Sequence, residues 1–384
     1  MISKKITSSP DYIAHICFVA PTAFSVMSGD NNIETVGGAE VQQVILAKAL
    51  VKTGYKVTMI CMDHGQDNQL VIDGVCMLKA YKPHAGLPVI RFLYPRLSTI
   101  WQCMKNADAD IYYQRTSGML TGVVAAFCKF TGKKSIFSGA SNPDFIKDTP
   151  KITYQRDRWL YEYGLRNVDQ IIVQNPYQLQ LCKENYHRDS ILINSCYPYP
   201  ANATNNPSGY ILWVGTIRQV KRPDLFIKLA ELLPNYSFVM VGGEDSSDKN
   251  FYNTIKAQAN ALPNVQFLGF LPYAQADKYF DGARLFVNTS DIEGFPNTFL
   301  QAWARKIPTV SFFDCGARKN GQPIGLIVES ITQMRDVVEK NMTNNQEWLS
   351  QGTKCLTYYK VNYSLQSAIQ GYEAVFSTFL QSDL

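Results

Sequence analysis

The chain lacks the cysteine spacing that would mark a metal site or a disulfide scaffold. Its nine cysteines stand far apart and no two are spaced as CxxC. Zinc sites want clustered ligands and disulfide scaffolds are usually short chains, so these cysteines read as reduced core thiols. No stretch approaches the ~18–20 uncharged apolar residues of a membrane span. Lys4 and Lys5 imitate the start of a secretory signal, but the apolar run 13–20 contains His15 and is followed by Pro21. There is no internal repeat, no low-complexity tract, and no zinc-finger or aromatic–basic RNA signature. No GxGxxG follows the first apolar run, which speaks against a nicotinamide enzyme. A cytoplasmic protein is expected, resting at most on the inner face of a membrane.

What is present fits a globular protein. Of 384 residues, 46% are hydrophobic and 18% charged, and at ~100–200 residues per domain two domains are expected. Lys and Arg exceed Asp and Glu by 37 to 32, and all of that excess lies before residue 201, where the counts are 21 and 16. A basic first half suits an anionic partner, such as a phosphate-bearing ligand or an acidic membrane face.

Short apolar runs alternate with helix-period segments. Strands are predicted at 13–20, 56–62, 75–81, 110–114, 135–138, 170–174 and 191–194, with helices including 39–51, 97–105, 121–130 and 152–166. Most strand runs are continuously apolar, as in a sheet covered on both faces. The proline-rich stretch 197–209 reads as a linker, and the alternation restarts with strands at 210–214, 237–241, 265–270, 285–289, 309–313 and 326–328. Two helices close the chain, broken near Val361 and Asn362. The expected architecture is α/β, with two consecutive Rossmann-like doubly wound domains facing each other across a cleft. Residues 1–200 form the first domain, 201–209 the linker and 210–361 the second, with a helix of about 362–384 packing back on the first.

Three places carry chemistry. Gly37-Gly38-Ala39-Glu40 opens a helix, where paired glycines admit a close ligand and free N–H groups suit an anion; a plain glycine turn fits these residues equally well. The strand 210–214 ends in Gly215-Thr216-Ile217-Arg218-Gln219-Val220-Lys221-Arg222, whose cations could clamp a diphosphate. The strand 285–289 leads to Glu293-Gly294-Phe295-Pro296-Asn297-Thr298 and Gln301, where a carboxylate, backbone N–H groups and an amide are expected to converge.

Together these motifs resemble the GT-B glycosyltransferases of family 4, the group 1 glycosyltransferases. Their signature is a strand, then Glu-Gly-Phe, then a second Glu eight residues after the first. Glu293-Gly294-Phe295 matches, and Gln301 stands where the second Glu is expected. The resemblance implies that Lys221 contacts the donor diphosphate and Glu293 holds the sugar hydroxyls. Backbone of Gly294, Phe295, Pro296, Asn297 and Thr298 lines the donor, Gln301 meets the ribose, and Gly37, Gly38 and Gly215 lie against it. Thr216 replaces the family's usual Arg, and Arg218 is the nearest substitute. The N-domain His of many members has no counterpart at Tyr112-Tyr113-Gln114-Arg115 or Ser138-Gly139-Ala140-Ser141.

The resemblance implies a retaining, hexosyltransferase-type enzyme without cofactor or metal, moving a sugar from a UDP- or GDP-sugar to a saccharide or polyprenyl-diphosphate-linked acceptor in surface polysaccharide biosynthesis. Nucleic acid is not an expected partner. Competing readings are a GT-B sugar phosphorylase, a sugar-nucleotide epimerase, and a sugar-nucleotide-binding subunit without catalysis. On the acceptor side, Leu97, Ile100, Trp101 and Met104 share a helix face with Arg91, Arg96 and Lys105 nearby. That face suits a peripheral membrane contact or simple packing on its own sheet. Lys147, Lys151, Arg156 and Arg158 could serve an anionic lipid phosphate.

Overall fold

The computed structural model describes residues 12–30, 37–86, 92–147, 152–201, 209–245 and 248–381. Most of the expected linker, residues 202–208, lies outside them, as do Lys4, Lys5, Arg91 and Lys151. Two compact units are present. One comprises Met1–Phe24, Gln43–Ile193 and Gly371–Leu384, and the other Ser25–Gln42 and Asn194–Gln370. The division therefore falls inside the helices Gly38–Lys52 and Leu365–Gln381.

The first unit is built on eight strands: β1 (His15–Val19), β2 (Lys56–Cys61), β3 (Leu70–Ile72), β4 (Val75–Lys79), β5 (Ile111–Arg115), β6 (Lys134–Ser138), β7 (Gln170–Val173) and β8 (Ile191–Leu192). Their spatial order is β3-β4-β2-β1-β5-β6-β7-β8. Only β3 runs antiparallel to its neighbour. It forms a hairpin with β4 through Asp73-Gly74, both at positive φ (50° and 80°), the Asp-Gly pair that a two-residue turn favours. The sequence reading overlooked this short edge strand. Every residue of β1 and β5 is buried, because helices cover both sheet faces.

Packing explains several local choices. The helices Met119–Thr131 and Gln155–Asn167 approach at Gly122 and Gly164, where a Cβ on Gly164 would lie 2.6 Å from the Gly122 nitrogen. The face carrying Ile100 and Met104 on helix Ser98–Ala107 is buried, and Trp101 packs edge-on against Phe127 at 5.1 Å. Simple packing on its own sheet is thus what this face does. Gly371 onward returns to this unit, with Phe376 edge-on to Tyr55 at 5.5 Å and Tyr372 bonded to the Tyr113 hydroxyl at 3.3 Å.

The second unit has a six-stranded parallel sheet: β9 (Tyr210–Val214), β10 (Phe238–Val241), β11 (Val265–Phe267), β12 (Ala283–Asn288), β13 (Thr309–Ser311) and, after a small hairpin of β14 (Arg318–Lys319) and β15 (Gln322–Pro323), β16 (Leu326–Ile327). The order is β11-β10-β9-β12-β13-β16. β9 pairs with β10 on one side and β12 on the other. The chain order reverses between β9 and β12, the switch point at which such sheets bind ligands.

His15 is the least conventional core residue. It is buried in β1, its Nε2 2.8 Å from Thr58 Oγ1. Burial, aided by Lys56, lowers its pKa to about 4 against the opposing pull of Asp110. In the unfolded chain the imidazole keeps its ordinary pKa near 6.5, so unfolding takes up a proton between these values. The stabilisation is complete above about pH 6.5 and falls away as the pH drops to about 4. Replacing His15 with Gln should flatten that limb, so urea midpoints of the first unit, compared at pH 7 and 4.5, should fall further in wild type. Parallel pH profiles for the two proteins would show that His15 does not titrate on unfolding.

Candidate functional site

The loop after β9 makes a single 3-10 turn, Gln219–Lys221. Arg222 then adopts a left-handed conformation (φ 47°), and Pro223 opens the helix Pro223–Leu232, a first-turn position that proline tolerates. This loop is stitched to the loop after β12. Thr289 Oγ1 donates to the Lys221 carbonyl at 2.9 Å and receives the Trp213 indole N–H at 3.1 Å. The Asp291 N–H donates to the Val220 carbonyl at 2.9 Å.

These ties bring Lys221 and Glu293 together. The Lys221 ammonium pairs with Glu293 Oε1. The same oxygen accepts from Ser290 Oγ at 3.0 Å and from Asn288 Nδ2 at 3.5 Å. Glu293 Oε2 receives no hydrogen bond from the described residues. The carboxylate is therefore gripped on one side and open on the other. Asn288, Thr289 and Ser290 escaped the sequence reading; three short polar residues at a strand's carboxyl end were the available signal.

The other expected donor residues sort differently. Arg218 is not drawn into the Lys221 cluster; its guanidinium pairs with Asp245 after β10, and the side chain is 55% exposed. Gly215 spends its N–H on the Val241 carbonyl at 3.0 Å. Pro296 has no N–H to offer a ligand and instead sets the entry into helix Asn297–Ala304 (φ −71°). The Phe295 ring stacks on Tyr363 at 4.5 Å and meets Trp303 edge-on, which anchors the loop. Gly294 faces open space, and Thr298 is half-buried in the first turn of the helix.

Gln301 requires a correction, because it does not face the loop. It is 3% exposed and donates from Nε2 to Asp277 Oδ1 at 2.6 Å. Asp277 also accepts from Arg305 Nη2 at 2.8 Å and from the Tyr197 hydroxyl at 2.7 and 2.8 Å. Arg305, 3% exposed, reaches Asp281 through Nε at 2.6 Å. Burial alone would lower the guanidinium pKa, but Tyr197, Asp277 and Asp281 together raise it. Burial and the Asp277 charge push the Tyr197 phenol up, keeping it a donor.

Gly37 and Gly38 belong to the second unit with the rest of Ser25–Gln42. The side chains that approach them closely belong to the chain itself: Glu40 folds over Gly37, and Asn297 Nδ2 lies 3.0 Å from where a Gly38 Cβ would be. In the first unit, where many family members carry a histidine, β5 ends in buried Arg115. Its Nη1 donates to Ser138 Oγ at 3.0 Å and to the Tyr113 hydroxyl at 3.3 Å, and the next residue, Thr116, has a φ of 80°.

The Asp277 network explains why residue 301 is an amide here. A Glu at that position would set a second carboxylate against Asp277, so its proton would be held more tightly and the folded state penalised when it ionises. Gln301→Glu should lose about 1–3 kcal/mol of stability at pH 7.5 and regain part of it as the pH falls to 5.5. Gln301→Leu should show a loss that varies no more with pH than wild type does. Thermal melts at the two pH values separate the variants, and a pH-independent loss in Gln301→Glu would refute the account.

Residues 36–193 match the model of Glycosyltransferase Family 4, and residues 200–340 that of Glycosyl transferases group 1. The O-antigen biosynthesis glycosyltransferase WbnH of Escherichia coli is 29% identical over 145 residues, 36% of this chain and 39% of that protein. The matched segment thus spans well under half the length of this curated relative. Among solved structures, a sucrose-phosphate synthase from Thermosynechococcus elongatus superposes with a TM-score of 0.71 at 15% identity, covering 96% of this chain and 100% of that one. Anabaena HepE, solved with UDP and glucose, gives 0.69 at 14% identity over 95% and 100% of the two chains. At such identities the likeness is one of fold, the GT-B fold. Fold, motif and family models agree: this chain belongs to the group 1, family 4 glycosyltransferases.

Proposed function

We propose that the protein is a retaining glycosyltransferase that moves a sugar from a nucleoside-diphosphate sugar to a saccharide or polyprenyl-linked glycan acceptor in surface polysaccharide assembly. The observation that carries this reading is the Lys221–Glu293 pair at the β9/β12 switch point. A cation and a carboxylate held side by side match a donor that is anionic at its diphosphate and hydroxyl-rich at its sugar. The open Oε2 of Glu293 accepts sugar hydroxyls while Ser290 and Asn288 hold Oε1.

In this reaction the bond from the sugar's anomeric carbon to the diphosphate oxygen breaks and its electron pair leaves with the diphosphate. The Lys221 ammonium and the start of helix Asn297–Ala304 stabilise the charge as it grows. The acceptor hydroxyl bonds to the anomeric carbon on the face the diphosphate leaves, and its proton passes to a leaving phosphate oxygen, so configuration is retained. Arg218 stabilises the diphosphate only by exchanging Asp245 for it.

A thermal-shift panel of UDP, GDP, ADP, CMP and NAD should show stabilisation by one nucleoside diphosphate, reduced in Lys221→Ala. Release of that diphosphate from its sugar donors should fall by roughly two or more orders of magnitude in Glu293→Ala. Nucleotide affinity in that variant should change little, since losing Glu293 frees Lys221 for phosphate. Equal loss of binding in both variants would overturn this division of roles, and a response to NAD alone would overturn the transferase reading.

The partner proposed for the first unit is an acidic membrane face carrying the acceptor. Arg156 lies over the Phe92 ring at 3.5 Å, joining residues 92–97 to helix Gln155–Asn167. Around this contact Leu93, Tyr94, Tyr154 and Trp159 are exposed, and Trp159 stacks with Tyr163. Aromatic side chains beside arginines suit a headgroup interface. The protein should co-sediment with liposomes containing acidic lipid at low salt, and Trp159→Ala with Arg156→Ala should reduce the bound fraction severalfold. Failure of wild type to bind would remove the membrane from the proposal.

A further inference from the structure

Asn297 and Gln42 form a polar interlock that joins the starts of two helices within the second unit. Asn297 is the first residue of helix Asn297–Ala304. Its Nδ2 donates to the Gly38 carbonyl at 2.8 Å, and its Oδ1 accepts from Gln42 Nε2 at 3.1 Å. Gly38 and Gln42 are four residues apart on helix Gly38–Lys52, so a single amide reads one helical turn. Gln42, 6% exposed, is itself fixed: its Nε2 donates to the Cys196 carbonyl at 2.8 Å, and the Cys196 N–H donates to its Oε1 at 2.9 Å. Two helix starts and the chain at Cys196 are thereby tied through two side-chain amides.

Two helix N-termini held this close each present partial positive charge, an arrangement that repels itself unless polar groups bridge it or an anion joins it. The Asn297 side chain joins the two starts through the Gly38 carbonyl and the Gln42 amide, and in these two bonds it engages no backbone N–H of either helix. At Gly38 an added Cβ would come to 3.0 Å from Asn297 Nδ2, close enough to press on the amide and shift it by a few tenths of an ångström. The amide also lies directly beyond the Glu293–Pro296 turn, so whatever fixes Asn297 fixes the end of the loop that carries Glu293.

We infer that Asn297 and Gln42 are positioning residues for the donor diphosphate. Their side chains hold the first turn of helix Gly38–Lys52 in register with the Glu293 loop, so that both helix starts address one anion. The inference rests on the donor site proposed above. It gives the Asn297 side chain a task distinct from contact with the donor and assigns one to Gln42.

The test measures affinity for the nucleoside diphosphate that stabilises wild type, together with KM and kcat for release of that diphosphate from its sugar donor. Measurements use the full chain well below its melting temperature. Asn297→Ala and Gln42→Met should each weaken diphosphate binding about tenfold, and the double variant should lose no more than the worse single, because each residue acts through the other. Gly38→Ala should give a similar loss that is likewise not additive with Asn297→Ala. Donor KM should rise more than kcat falls. If Asn297→Ala does not fold, Gln42→Met and Gly38→Ala test the same tie. Affinities within twofold of wild type in folded variants, or fully additive losses, would overturn the interlock. Failure of wild type to bind any nucleoside diphosphate would instead overturn the donor site itself.

Discussion

A lysine and a glutamate seventy-two positions apart in the chain meet because β9 and β12 are neighbours in the sheet. Parallel strands release their loops at the same edge, and at a switch point those loops diverge to opposite faces and leave a crevice between them. The pair depends on this topology and then on small neutral groups. Thr289 pins the Lys221 backbone, Trp213 pins Thr289, and Ser290 and Asn288 fix one carboxylate oxygen. An exposed ion pair would contribute little by itself. Half-buried and hydrogen-bonded at several points, this one becomes a fixed feature onto which a ligand must fit.

Behind the loop lies a second layer of charge, centred on an arginine that is only 3% exposed. Arg305, Asp277, Asp281, Tyr197 and Gln301 satisfy one another in a network in which Arg305, Tyr197 and Gln301 are buried and Asp281 stands at the exposed edge. Such a network is costly when any member loses its partner and rigid when all are satisfied. It underlies the helix Asn297–Ala304 and holds Tyr197, whose carbonyl also receives the Tyr359 hydroxyl at 2.7 Å. The Glu293 loop and the chain segment leaving the first unit therefore rest on the same buried footing.

The sequence declared the architecture well because its signals were local. Continuous apolar runs, a Pro or Gly at a helix entry, and Glu293-Gly294-Phe295 after a strand all lie within a few residues of what they specify. Some strand ends were read two or three residues too long, as at 75–81 and 265–270, where apolar side chains continue past the last ladder bond, while 110–114 stopped one residue short of Arg115. The edge strand Leu70–Ile72 was overlooked although Asp73-Gly74 announced its turn. What could not be read was partnership across distance. Nothing near Gln301 points to Asp277, nothing near Arg218 points to Asp245, and nothing in Gln42 points to Cys196. Gln301 was legible as a departure from the family pattern, but only its neighbour twenty-four residues earlier gives that departure a cause.

The helix Leu365–Gln381 begins in one unit and ends in the other. For a chain made from its N-terminus, this sets an order of events. The first unit's sheet is complete once Leu192 has been synthesised, yet Tyr55 and Tyr113 wait for Phe376 and Tyr372. The unit whose sheet is made first is thus completed after the other. Until the helix Leu365–Gln381 arrives, its apolar surface around Tyr55 stays open, a period in which a nascent chain of this kind is exposed to misassembly.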